Sequence, residues 1–269
     1  MKPHYRSLWL LLLVAFAAFV VAEAVGTPEI AGHKFKDAGF IAAVSDVKAE
    51  EDGAFASADG MLVLPDTIVT DVENIFPMPC DTASQTIMLI GDSMLEGLGP
   101  RLAAYAEHNG HTLYTVMWYS STSEKWGKSD KLRNYIQRLK PTFIVVCLGA
   151  NELLVKDIEV KREKYVKQIL ADIDTIPFLW IGPPNWRTDT GINRLIANST
   201  PQGTFFLSDG MKFERAKDGA HPTRNSAAEW LDSVIRWMPA NALHPIRLDV
   251  PEVSSAKAKR IFVHQPTED

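Results

Sequence analysis

From residue 86 onward the apolar positions alternate between two spacings. A continuous run, Ile87–Ile90, gives way to helical spacing at Leu95, Leu98, Leu102 and Tyr105, with Pro100 expected in a first turn. His108-Asn109-Gly110 stops that helix. The pattern then predicts a strand at Thr112–Trp118, a helix over Trp126–Leu139 and a nearly all-apolar strand at Phe143–Leu148. An amphipathic helix over Ile158–Ile173 follows, then a strand at Phe178–Ile181, closed by Gly182-Pro183-Pro184. A short helix around Gly191–Ala197, a strand at Thr204–Leu207 and a helix over Ser226–Trp237 complete the series. Strands alternating with helices, one of them apolar throughout, predict a mainly parallel five-stranded sheet covered on both faces. That is a three-layer α/β/α sandwich over residues 86–238.

The flanks are less regular. Lys2 and Arg6 precede an uncharged apolar stretch, Leu8–Ala22, which ends in Ala22-Glu23-Ala24. This is the pattern of a secretory signal peptide over residues 1–24, with a mature N-terminus at Val25. The stretch is short against the roughly 20 residues a spanning helix needs; uncleaved, it would be a membrane anchor. Residues 25–85 read as an irregular extension, and residues 239–269 as a tail wrapping the surface. The expected location is periplasmic or secreted.

The 269 residues are 46% hydrophobic and 23% charged, an ordinary globular balance. A formal charge of -5 with no basic patch argues against a nucleic-acid partner. Lys161, Arg162 and Lys164 alternate with Glu159 and Glu163, which reads as a solvated helix face. Of the two cysteines, Cys147 falls late in a strand and Cys80 well before the first one. In a parallel sheet they stand at opposite ends, beyond the roughly 7 Å a disulfide spans. His108 and His111 lack further ligands at a zinc-motif interval, so neither metal nor cofactor is expected.

The chemistry gathers where strands end. Ser93 and Glu96 form an S-x-x-E pattern after the first strand, which alone reads as a helix capping box as readily as a nucleophile turn. Two other segments change the balance: Gly149-Ala150-Asn151-Glu152 after the third strand, and Asp218-Gly219-Ala220-His221 before the last helix. Singly, Asn151 is a turn residue and His221 a loop histidine. Together, three distant segments bring serine, amide, acid and imidazole to the carboxyl rim of one sheet, where ligands bind in such folds.

These blocks resemble those of the SGNH (GDSL) hydrolase superfamily: G-D-S after the first strand, G-x-N-D after the third and D-x-x-H before the last helix. The resemblance covers roughly residues 86–238 and implies a flavodoxin-like fold. It also implies Ser93 as nucleophile, His221 as general base and Asp218 as the residue orienting the imidazole. Asn151 and the Ser93 backbone N–H would form the oxyanion hole. Two departures stand out. Glu152 replaces the usual aspartate, a change expected to touch loop packing. The usual oxyanion glycine after the second strand is missing from Trp118–Gly127, so Ser120, Ser121 or Ser123 would supply that N–H.

Export and this site suggest an esterase removing O-acyl groups, acetyl above all, from a carbohydrate polymer. Asn185, Trp186 and Arg187 are the candidate sugar-binding residues. The alternatives are an O-acetyltransferase using the same site, or a non-catalytic binding or assembly protein that keeps the fold. The mostly polar rim loops argue for short acyl chains.

Overall fold

The computed structural model describes residues 78–267 and two short strands, β1 (Glu29–Ile30) and β2 (His33–Lys34). The chain divides into two compact units, residues 1–69 and 70–269. In the first, β1 pairs antiparallel with β2, Glu29 opposite Lys34 and Ile30 opposite His33. The expected signal segment over 1–24 lies outside the described residues. So does the extension over 25–85, apart from β1, β2 and residues 78–85.

The second unit holds a parallel sheet. Its strands are β3 (Thr86–Gly91), β4 (Thr112–Trp118), β5 (Phe143–Cys147), β6 (Phe178–Ile181), β7 (Phe205–Phe206) and β8 (Ile261–His264). They lie in the order β7-β6-β5-β3-β4-β8, every neighbouring pair parallel. The helices are α1 (Leu95–His108), α2 (Ser123–Lys128), α3 (Lys131–Leu139), α4 (Ile158–Ile173), α5 (Ile192–Ser199) and α6 (Arg224–Asn241).

Alternate residues of β3 enter opposite cores. Ile87 and Leu89 pack with α1 and α6, around Leu98, Trp230 and Val234. Met88 and Ile90 pack with α2 to α5, around Trp126, Val166 and Ile169. The three-layer fold therefore stands, and each fully buried side chain of this size contributes about 1.5–3 kcal/mol.

Four expectations are corrected. The sheet has six strands, because Ile261–His264 in the tail joins the edge beside β4, pairing Thr115 with Ile261 through Trp118 with His264. A four-residue strand among polar residues is too short for its period to stand out, and only Phe262 packs into a core. The tail also contributes buried Ile246, beside an Asp81–Ile246 bridge, so residues 239–269 do more than wrap a surface. The helix expected over Trp126–Leu139 is two helices: Ser129 turns extended, and its N–H and hydroxyl both close on Trp126 O. Pro100 lies in the second turn of α1, and Pro239 lies within α6.

The order of strands positions the site. From β3 the chain steps to β4 on one side, whereas β5, β6 and β7 build outward on the other. The reversal falls between β3 and β5, and a crevice opens at their carboxyl ends. Gly91 closes β3 there because a Cβ would sit 2.1 Å from Cys147 O of β5. Cys147 is buried in β5 and Cys80 is exposed.

Candidate active site

Ser93 follows Gly91 and Asp92 at the mouth of that crevice. The capping reading of Ser93 and Glu96 does not hold: α1 starts from Met94 with no side-chain cap. The Glu96 carboxylate instead accepts a short hydrogen bond from Tyr119 O–H. Ser93 Oγ faces His221, 2.8 Å from Nε2. The other ring nitrogen, Nδ1, lies 2.7 Å from Asp218 Oδ2.

A tight loop sets the acid and the base. Asp218 Oδ1 accepts from the backbone N–H of Ala220 at 2.9 Å and of His221 at 3.0 Å. Those two donors, then the imidazole, hold the Asp218 carboxyl down at about 2. An ionised Asp218 can only accept, so Nδ1 carries the ring proton and Nε2 is free to accept from Ser93 O–H. Ser93, His221 and Asp218 form a hydrogen-bonded triad. Arg215, which no spacing in the sequence marks, ties this loop down. Its guanidinium donates to Ala220 O at 2.7 Å and, across the rim, to Asn185 O at 2.9 Å and Pro184 O at 3.2 Å.

Behind the triad, Asp92 is fully buried and accepts from Met94 N–H at 2.9 Å. Burial, partly offset by that bond and by His221, raises its carboxyl to about 7. Asn151 crosses from the end of β5, and its Nδ2 donates to Ser121 O at 2.9 Å and to Asp92 Oδ2 at 3.2 Å. The loop after β4 is settled in detail. Ser121 N–H donates to Trp118 O, and Ser123 N–H to the Glu152 carboxylate. Ser120 N–H meets no acceptor among the described residues, and Ser120 alone of the three serines lines the cavity around Ser93 and His221. Its φ of 52° is the left-handed conformation that glycine adopts more easily. The cavity measures about 470 Å³.

The remaining candidates stand elsewhere. Trp186 packs against both cores and donates from Nε1 to Ala150 O at 2.9 Å. Asn185 bonds Asp209 and Asn193, and Arg187 lies over the Trp186 ring. None of the three lines the cavity that holds Ser93. His111 links Gln85 N–H to Arg247 O through its two ring nitrogens. Arg162, expected on a solvated face, is mostly buried against Glu152 and Glu124. Among the described residues no group of three or more His, Cys, Asp and Glu is placed to hold a metal ion. Nor is any described helix long and apolar enough to cross a membrane.

No protein-family model matches the chain, and no curated protein does. Among solved structures it is similar to the psychrotrophic esterase EstA from Pseudoalteromonas sp., at 16% identity and a TM-score of 0.41, over 57% of this chain and 98% of that one. It is similar to TesA at 18% identity and 0.42, over 58% and 98%. A Clostridium thermocellum family 3 carbohydrate esterase stands at 18% and 0.42, over 59% and 98%. Likeness of this degree says nothing of activity, and the chemistry rests on the site's own geometry.

Proposed function

We propose that the chain is an exported serine esterase that removes O-acyl groups, acetyl above all, from a carbohydrate polymer. The observation that carries the reading is the unbroken hydrogen-bonded chain from Ser93 through His221 to Asp218. Ser93 Oγ attacks the ester carbonyl while His221 Nε2 takes its proton, and Asp218 holds the ring and stabilises the imidazolium that forms. The tetrahedral oxyanion then collapses, breaking the bond to the sugar oxygen, which leaves with the proton from Nε2. Water, deprotonated by His221, attacks the acyl-Ser93 ester and releases the carboxylic acid and free serine.

The backbone N–H groups of Ser93 and Ser120 are the proposed oxyanion donors, joined by the Asn151 amide. An oxyanion reaches Asn151 by replacing its longer bond, the one to Asp92. The His221 side chain is 35% exposed, so water can reach the base, as the hydrolytic step requires. Export is supported by the basic, apolar and A-x-A order of residues 1–24. The test is acetate release from an acetylated polysaccharide by the purified protein: release that depends on Ser93 supports the reading, and none from any acetylated ester overturns it.

A further inference from the structure

Glu152 is fully buried, and its carboxylate is crowded with donors. Oε2 accepts from Ser123 N–H at 2.8 Å, while Oε1 accepts from Ser123 O–H and from Arg162 Nε–H, each at 2.8 Å. Ser123 is the first residue of α2, so the carboxylate satisfies a backbone donor that no turn of the helix can reach. Arg162 of α4 extends the link to Glu124, 2.7 Å away. Three elements meet on one side chain.

The residues this clamp holds are the ones the site depends on. Asn151 is the neighbour of Glu152 in sequence, and Ser120 and Ser121 precede Ser123 by a few residues. A second link, Asn151 Nδ2 to Ser121 O at 2.9 Å, joins the same two loops. Three hydrogen bonds therefore tie the loop that carries Asn151 to the loop that carries Ser120, and the two buried ones are accepted by the Glu152 carboxyl group. An aspartate at 152 is one methylene shorter, and Glu152 reaches both the N–H and the hydroxyl of Ser123.

We infer that Glu152 is a positioning residue, setting the two loops that present the oxyanion donors and touching no substrate itself. The inference rests on the esterase reading above. Misplacing a reacting group by about 1 Å can cost about 100-fold in rate. Glu152→Ala in the full chain should accordingly lower kcat by about 10- to 100-fold and leave KM within about twofold.

The decisive comparison is a double-mutant cycle. If Glu152 acts by placing both donors, the variant carrying Asn151→Ala and Glu152→Ala loses less than the product of the two single losses, because the Asn151 share of the Glu152 effect is already gone. Fully additive losses would overturn the inference, as would an unchanged kcat in Glu152→Ala. Glu152→Gln, which keeps an acceptor for Ser123 but loses the charge facing Arg162, should recover part of the rate; it also serves if the alanine variant fails to fold. Peptide-level hydrogen exchange needs no ester turnover and so separates this claim from the esterase reading. Faster exchange over both 119–123 and 149–154 in the variants, with β3 and β5 unchanged, is expected. Exchange identical to the parent protein would overturn the clamp whatever the activity.

Discussion

His221 Nε2 stands 2.8 Å from Ser93 Oγ although 128 residues separate them in the chain. The return of α6 along α1 helps to bring them together. Gly97 of α1 and Ala227 of α6 touch so closely that a Cβ on the glycine would lie 2.5 Å from the alanine methyl. The contact that activates the serine thus depends on the packing of these two helices as well as on the loop that Arg215 holds.

Ser93→Ala and His221→Ala should each remove most ester turnover, with circular dichroism and thermal midpoint near those of the parent. Asp218→Ala should cost less, since the Asp218 carboxylate orients the base and does not itself take the proton. A loss of folded signal matching the loss of activity would return Ser93 and His221 to a structural role.

The oxyanion assignment separates by kinetic constant. Asn151→Ala should lower kcat by about 100-fold with little change in KM, because the donor acts mainly in the transition state. Ser120→Gly keeps the N–H and suits the positive φ, so activity should persist and stability should rise by up to about 1 kcal/mol. Ser120→Pro removes the N–H and cannot adopt that φ; it should be inactive. An active proline variant would move the donor to another residue.

Buried Asp92 gives a pH dependence with a definite sign. Its folded value, about 7, lies above the ordinary 3.8, so between these limits the folded state holds the proton more firmly than the unfolded chain does. The Asp92 contribution to stability is therefore greatest below about pH 4 and is lost as pH rises toward 7. Thermal midpoints of the parent minus those of Asp92→Asn should decline over that interval. The subtraction removes Asp218, whose depressed carboxyl acts in the opposite sense as pH falls toward 2. A flat difference would mean that Asp92 ionises at its ordinary value.

Acyl specificity is open to a simple series. The walls around Ser93 mix Glu96, Tyr119, Ser120, Asp218 and Arg224 with Met94, Ala216 and Pro222, so no continuous apolar groove leads from the serine and a short acyl group is expected. The ratio kcat/KM should fall from acetyl through butyryl to octanoyl esters of one leaving group. A second cavity of about 520 Å³, with Leu95, Met117 and Ile261 in its wall, shares Glu96 and Arg224 with the first. An octanoyl optimum would assign that space to an acyl chain and move the protein toward lipase or thioesterase chemistry.

Most of the framework was legible because it is periodic. The helix over Ile158–Ile173 carries an amphipathic period, and the short run Ile87–Ile90 reads as a strand from its length and the glycine that follows it. Ser93, Asp218 and His221 could be found because each follows a strand or precedes a helix at the same rim. What escaped was non-local. Strand β8 exists only because the edge of β4 is there to pair with it. Arg162 reads as one charge in a mixed run, yet the fold turns it onto Glu152. Choosing among Ser120, Ser121 and Ser123 required knowing which N–H groups are already engaged. Trp186 illustrates the opposite case: an aromatic beside amide and guanidinium groups suggests a sugar platform, but here it packs between two cores.

The most direct test of the account is covalent. An activated organophosphonate ester reacts with a serine only where a base and an oxyanion hole make it nucleophilic. Peptide mapping by mass spectrometry of the full-length protein after such treatment should show one phosphonylated residue, Ser93. His221→Ala, folded to the same extent, should show essentially none. Unmodified Ser93 in the parent protein, or equal labelling with and without His221, would contradict the triad reading.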